Sequence, residues 1–423
     1  MTRRAWLVCC SITLAALSSA PASAELPAHR TVAQLGPTRI EGAFGEDPFP
    51  NHNPDFGAAV AIRNGIAFVG IPAALPTAHV AVYGLTTAGW ARNATLSVSD
   101  AVPAGGYQSN GFGSAIAFRD GLAVIASYSF LHVFKRVNGV WTDIQKLVPP
   151  PNPSPTPDLW KISAMRYENG ILAIGWNHFS GDHVVHVYEL AANGKFVKRA
   201  TLRATDGAAN FGADVATAGN VLVVGADGAA YVFRRRSDGT WVKTQKLVAA
   251  DSSPVRSFGA AVGIDQGLII VGAPEHDCVG GDNGVFCEST SGAGAGGAAY
   301  GFVPFSGQFT QVFKLRPGSA EHANYWQFGR RISMMGKFVV IDAAEQEFVG
   351  DPELFGTPPG LAFTYTRDGS TLTAHGLARG YIASDSLALA NNWLLVGSTL
   401  TGQFCPTILA ACPGEARIFD LNH

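Results

Sequence analysis

The sequence predicts an all-β protein, a single seven-bladed β-propeller of four-stranded blades whose last blade is closed by an N-terminal strand. Three observations predict it. One short phrase recurs at intervals of 47 to 70 residues, seven copies in all. Each complete copy is followed by two further strand-like runs, giving four short strands per repeat. The strand that the seventh copy lacks is found near the start of the chain. Composition agrees: 49 glycines and 24 prolines with only 15% charged residues suit many short strands and tight turns, not long helices.

The phrase opens at Phe56-Gly57-Ala58-Ala59-Val60-Ala61, turns at Asn64-Gly65 and ends at Phe68-Val69-Gly70. Phe112-Gly113-Ser114-Ala115-Ile116-Ala117 begins the second copy, through Asp120-Gly121 to Val124-Ile125-Ala126. It returns at Phe211-Gly212, Phe258-Gly259 and Phe328-Gly329. Position 14 after these five phenylalanines is Gly70, Ala126, Gly225, Gly272 and Asp342, each closing a second apolar run. Two degenerate copies run from Lys161 to Gly175, with Trp160 in the phenylalanine's place, and from Ala383 to Gly397. Blades therefore start near residues 56, 112, 161, 211, 258, 328 and 383.

The opening and closing halves of the phrase read as the first and second strands. The third strand is an aromatic alternation, as in Val80-Ala81-Val82-Tyr83, Leu131-His132-Val133-Phe134 and Ala230-Tyr231-Val232-Phe233. The fourth carries an aromatic six residues before a leucine: Trp90 with Leu96, Trp141 with Leu147, Phe196 with Leu202, Trp241 with Leu247 and Phe309 with Leu315. Its tryptophans are expected to pack between strands or blades. The seventh copy stops at its third strand, Ala416-Arg417-Ile418-Phe419. Thr31-Val32-Ala33-Gln34-Leu35 matches the missing fourth, so residues of about 30–36 are expected to complete blade seven and hide its edge.

The F-G-x-A/S-V-A opening, the V-G-A ending (a full Gly272-Ala273-Pro274 in blade five) and the W-x₅-L strand resemble bacterial FG-GAP repeat proteins, relatives of the propeller head of integrin α chains. The resemblance covers residues of about 30 to 421. Integrin-type repeats often hold calcium in a D-x-[DN]-x-[DN]-G-x-x-D loop between the first and second strands. Here those places hold two-residue turns: Asn64-Gly65, Asp120-Gly121, Asn169-Gly170, Gly219-Asn220, Gln266-Gly267, Gly336-Lys337 and Asn391-Asn392. Such turns suit I′ or II′ hairpins and lack the six or more oxygens calcium needs. No cofactor and no metal site are expected.

Residues 1–24 read as an export signal. Arg3 and Arg4 are followed by an apolar run from Ala5 to Leu17 and a small-x-small site at Ala22-Ser23-Ala24. Whether the route is general or twin-arginine export stays open. The run is too short to cross a bilayer, and no later segment approaches roughly 20 apolar residues. Cleavage near Ala24 leaves 28 Lys+Arg against 32 Asp+Glu, a formal charge of −4, which argues against nucleic acid as a partner. Four cysteines remain, as two close pairs. Cys278 with Cys287 and Cys405 with Cys412 suit local disulfides in an oxidising compartment better than zinc.

Connections between second and third strands are short in blades one, two and four. They lengthen to Glu275–Gly297, Ala343–Gly360 and Ser398–Gly414 in blades five, six and seven. Long loops on one end of a rigid scaffold are where binding usually resides. The candidate binding residues are Glu275, His276, Asp277, Asp282, Tyr325, Trp326, Glu345, Glu347 and Phe404. The N-terminal crossover from Gly36 to Asp55 is expected to reach the same end. Asp100, Asp206 and Asp251 recur after fourth strands and read as turn-bonding residues. The histidines His178, His183 and His186 read as surface or packing residues. A secreted monomer that binds an extracellular protein or glycan without catalysis is the expected function. A propeller lyase or hydrolase acting on polysaccharide, or a structural part of an envelope assembly, are the alternatives.

Overall fold

A computed structural model describes residues 28–35, 55–74, 77–100, 109–128, 130–151, 160–178, 180–251, 255, 257–276, 278–279, 288–289, 296–316, 325–345, 359–382, 386–399 and 414–422. The predicted export signal lies outside them. Among the described residues, regular structure is strand throughout, arranged as seven antiparallel blades.

Blade one is Val60–Arg63, Ile66–Ile71, His79–Thr86 and Gly89–Leu96, hydrogen-bonded in that order. The same order runs from Ile116–Arg119 to Val140–Leu147 in blade two and from Lys161–Glu168 to Phe196–Leu202 in blade three. Blade four runs from Val215–Ala218 to Trp241–Leu247, and blade five from Ala261–Asp265 to Gln308–Leu315. Blade six, from Ile332–Met335 to Thr371–Ile382, gains the short strand Tyr325–Trp326 beside its second strand. Blade seven takes Ser386–Ala390, Trp393–Ser398 and Glu415–Asp420 from the C-terminal end and Arg30–Leu35 from the N-terminal end. Leu35 lies opposite Ala416 and Thr31 opposite Phe419, so the expected closure of blade seven by the N-terminal strand is present.

The hairpins between first and second strands follow from their residues. Asn64-Gly65, Asp120-Gly121, Asn169-Gly170 and Gln266-Gly267 have positive φ at both positions, as type I′ turns require. Gly219 and Gly336 take positive φ at the first position, the place glycine fills in a II′ turn.

The core is divided among seven apolar clusters, each lying between two neighbouring blades. The phenylalanine of each FG pair fills the seam with the preceding blade. Phe112 packs with Phe68 and Val80 of blade one, Phe258 with Val223 and Val232 of blade four, and Phe56 with Leu395 and Ile418 of blade seven. Trp160, 3% exposed, does this work in blade three. The following glycine, at φ between +93° and +100°, binds its own blade through its amide (Gly212 N to Gly225 O, 2.8 Å). Its carbonyl faces backwards and lies against position 14 of the preceding blade. A Cβ added to Gly70, Gly175, Gly225, Gly272 or Gly397 would overlap the carbonyl oxygen of Gly113, Gly212, Gly259, Gly329 or Gly57.

The recurring tryptophans pack as expected. Trp90 meets Trp393 of blade seven edge-on at 5.1 Å, and Trp141 meets Phe68 of blade one at 5.3 Å.

Candidate functional site

Strand alternation puts the two kinds of connection at opposite ends of the ring. The connections from Ala273 to Ala298, Glu345 to Pro359 and Ser398 to Glu415 are the long ones, and all join second to third strands. The equivalent link in blade four runs only from Ala226 to Ala229. Asp277, Asp282, Glu347, Phe404, Cys287, Cys405 and Cys412 lie outside the described residues. Cys278 stands in a short hairpin with its backbone opposite Ser289. Three candidates are brought together along the backbone: Tyr325 and Glu345 are register partners, with Trp326 next to Tyr325 and opposite Ala344. Glu275 is exposed, whereas its neighbour His276 is 8% exposed and turned inward.

His276 is turned toward an inter-blade clasp. Asp251, in the connection from blade four, accepts hydrogen bonds from Tyr300 Oη (2.7 Å) and Lys314 Nζ (2.8 Å) of blade five. Lys314 Nζ also lies 2.7 Å from His276 Nε2. Burial pushes the Asp251 carboxyl up, but the bonds from Lys314 and Tyr300 outweigh it and hold the group below its usual range. Asp206 does the same one blade earlier, accepting from Tyr231 Oη at 2.7 Å and Lys246 Nζ at 2.6 Å. Chiefly through the Lys246 bond, its carboxyl falls to about 2. Asp100 joins blade one to blade two through Lys146 (2.7 Å) and His132 (2.8 Å). The expectation that these aspartates serve their own turns is therefore corrected: their carboxylates reach into the next blade. The turn alone could not show that a lysine 40, 46 or 63 residues later would come within reach.

The histidines of blade three behave as packing residues. His178 stacks at 4.9 Å from Trp160 and bonds Ser180 Oγ at 2.7 Å. His186 is 2% exposed, and its pKa is lowered to about 4 by burial and by Lys198 and Arg203.

At the opposite end, the ends of the seven first strands converge on a cavity of about 180 Å³ to which every blade contributes. Arg63, Arg119 and Glu168 are the last residues of the first strands of blades one to three, and Asp265 and Met335 those of blades five and six. Arg166 stands two residues before Glu168. Arg119 pairs with Glu168 and donates to Asn169 Oδ1 at 3.1 Å. Asp265 accepts from Arg367 Nη2 (3.2 Å) and the Gly336 amide (2.8 Å). Burial raises the Glu168 carboxyl against the opposing pull of Arg119, Arg63 and Arg166. Sequence reading missed this cavity. One signal was available: Arg63 and Arg119 both stand seven residues after the FG phenylalanine.

Architecture and seams define the class: a seven-bladed β-propeller whose blades interlock through an FG opening. The FG-GAP repeat family model matches residues 241–286, which span the fourth strand of blade four and the first two strands of blade five. The chain is a seven-bladed β-propeller with one segment that matches the FG-GAP repeat. No curated protein matches it in sequence. Among solved structures, its fold is similar to a provisional 6-phosphogluconolactonase from Bacteroides uniformis (TM-score 0.50, 13% identity, 77% of this chain and 86% of that one). A protein from Lactobacillus plantarum is also similar (TM-score 0.47, 14% identity, 75% and 83%). At these identities the likeness is one of fold.

Proposed function

We propose that the protein is a secreted, non-enzymatic binding propeller that recognises an extracellular protein or glycan through the insertion-bearing end of blades five to seven. The observation that carries this reading is the gathering of all three long second-to-third connections on contiguous blades at one end of a closed ring. The scaffold beneath is rigid where it matters: the Asp251–Tyr300–Lys314 clasp anchors the base of the blade-five insertion, and His276 packs against it. The Tyr325–Trp326 strand ties the approach to blade six against the start of that blade's insertion. Aromatic and acidic side chains on such a platform suit recognition with little ordering cost.

The test compares the whole protein with a variant whose connections 277–296 and 400–413 are cut to short turns. Saturable retention on immobilised envelope glycan or on a purified envelope protein should belong to the intact chain only. Equal retention by both, with matching thermal midpoints, would remove function from this end. Turnover of a polysaccharide that falls on Glu275→Gln would favour the enzyme reading instead.

A further inference from the structure

The cavity where the first strands converge is lined by two guanidiniums, Arg63 and Arg166, that act on Glu168 through space but have no carboxylate in direct contact among the described residues. Glu168 is engaged by Arg119, and Asp265 by Arg367 and the Gly336 amide. Asp214, farther along the seam, is held by the Val215 and Val262 amides, each at 2.8 Å. Arg63 reaches across to blade six, where its contact is the Met335 sulfur at 3.5 Å, a weak acceptor. Arg166 also lines the cavity and makes no ion pair among the described residues. Half-buried guanidiniums that lack a carboxylate in contact are poorly compensated, and a bound anion would compensate them.

We infer that this cavity is a binding site for a small organic acid, its carboxylate held between Arg63 and Arg166. Guanidinium forks match a carboxylate with paired, charge-assisted hydrogen bonds. The volume, about 180 Å³, equals the share of roughly six waters, more room than an isolated carboxylate group fills. The rest of the wall suits a carbon skeleton: Met334 and Met335 of blade six, Ile264 of blade five and Leu389 of blade seven. Binding exchanges the Arg63 sulfur contact for a charged acceptor. The site lies at the end opposite the insertions and stands or falls independently of them.

Titration calorimetry with citrate and with glucuronate, at constant ionic strength and with inorganic phosphate as comparator, tests this. One acid should bind saturably, one per chain, with affinity falling at least about tenfold in Arg63→Gln and in Arg166→Gln. Arg203→Gln, at the insertion end where Arg203 pairs with Asp182, should leave it unchanged. Should Arg63→Gln lower the thermal midpoint, Arg166→Gln decides alone, because Arg166 holds no ion pair among the described residues. The proposal is overturned by no saturable binding of either acid at millimolar concentration, by binding that both substitutions leave unchanged, or by phosphate binding as tightly as the acids.

Discussion

Neighbouring blades meet twice, near the axis and near the rim, and the two junctions are built on different physics. The inner one is backbone against backbone: the carbonyl of an FG glycine lies where a side chain at position 14 of the preceding blade would begin. The outer one is charge and hydrogen bonding: an aspartate from one blade's exit with a lysine and a third-strand ring of the next. Across the repeats of this chain the two partners of the inner junction change together. Blades three and seven lack the FG pair, and the blades before them carry Ala126 and Asp342 where glycine otherwise stands. The outer junction varies freely, with His132, Tyr231 and Tyr300 serving as the ring, and with Thr201 replacing the lysine beside His186 in blade three.

The largest break is expected where the two ends of the chain meet in one blade. Blade seven has no FG opening, and its outer strand comes from the far end of the chain. Deleting residues 25–40 removes five ladder positions against the last strand. At about 1 kcal/mol net for each ladder hydrogen bond, roughly 5 kcal/mol is lost before any exposure of Ile418 and Phe419 is counted. Chemical denaturation should show it. An unchanged midpoint would mean that the ring does not depend on this strand.

Next comes the inner junction itself. Gly225→Ala places a Cβ on the Gly259 carbonyl, and backbone on both sides must shift. A loss of roughly 3 kcal/mol is expected, the upper part of the range for overpacking. Gly121→Ala meets no atom within 4 Å and separates crowding from turn strain, since it carries only the penalty of positive φ. If the two substitutions cost the same, the carbonyl contact is not what makes the inner junction strict.

The outer clasp should yield less. Asp251→Asn removes the charge that Lys314 meets while keeping the shape. The pair is partly solvated, with side-chain exposures of 21% and 28%, so about 1 kcal/mol is expected. The loss should shrink at high salt, which a glycine substitution would not show.

These differences explain what could be read from the chain. The FG phrase, the turns and the closing strand are local patterns with fixed spacing, so blade count, hairpins and closure were legible. That FG and position 14 are partners across successive copies was also written in the sequence, in the joint absences at blades three and seven, but only when read one repeat out of phase. The clasps were hidden because Asp251 and Lys314 are 63 residues apart, on either side of an insertion. The cavity at the opposite end was hidden for a related reason. Arg63, Arg119 and Arg166 lie one to a repeat, and convergence of first strands around an axis leaves no local mark.

The last comparison is a matter of pH, and it separates a clasped blade from an unclasped one. In blade four, Tyr231 and Lys246 hold Asp206 ionised down to about 2, so the stability they supply is lost only as pH falls from the unfolded value of 3.8 through 2. Blade three has His186 in the ring position with Tyr188 Oη at 3.4 Å and no carboxylate bonded to it in the described structure. Its pKa drops from 6.5 to about 4, chiefly through burial. The folded state therefore binds a proton less readily than the unfolded chain, and stability falls as pH drops from 6.5 towards 4. Between pH 7 and pH 4 the denaturation midpoint of the protein should fall further than that of His186→Phe, the substituted blade losing its share of the acid sensitivity. A wild-type curve parallel to that of His186→Phe across this window would show that the ring position in blade three takes up its proton as easily folded as unfolded, and that the clasp is not what distinguishes the two blades.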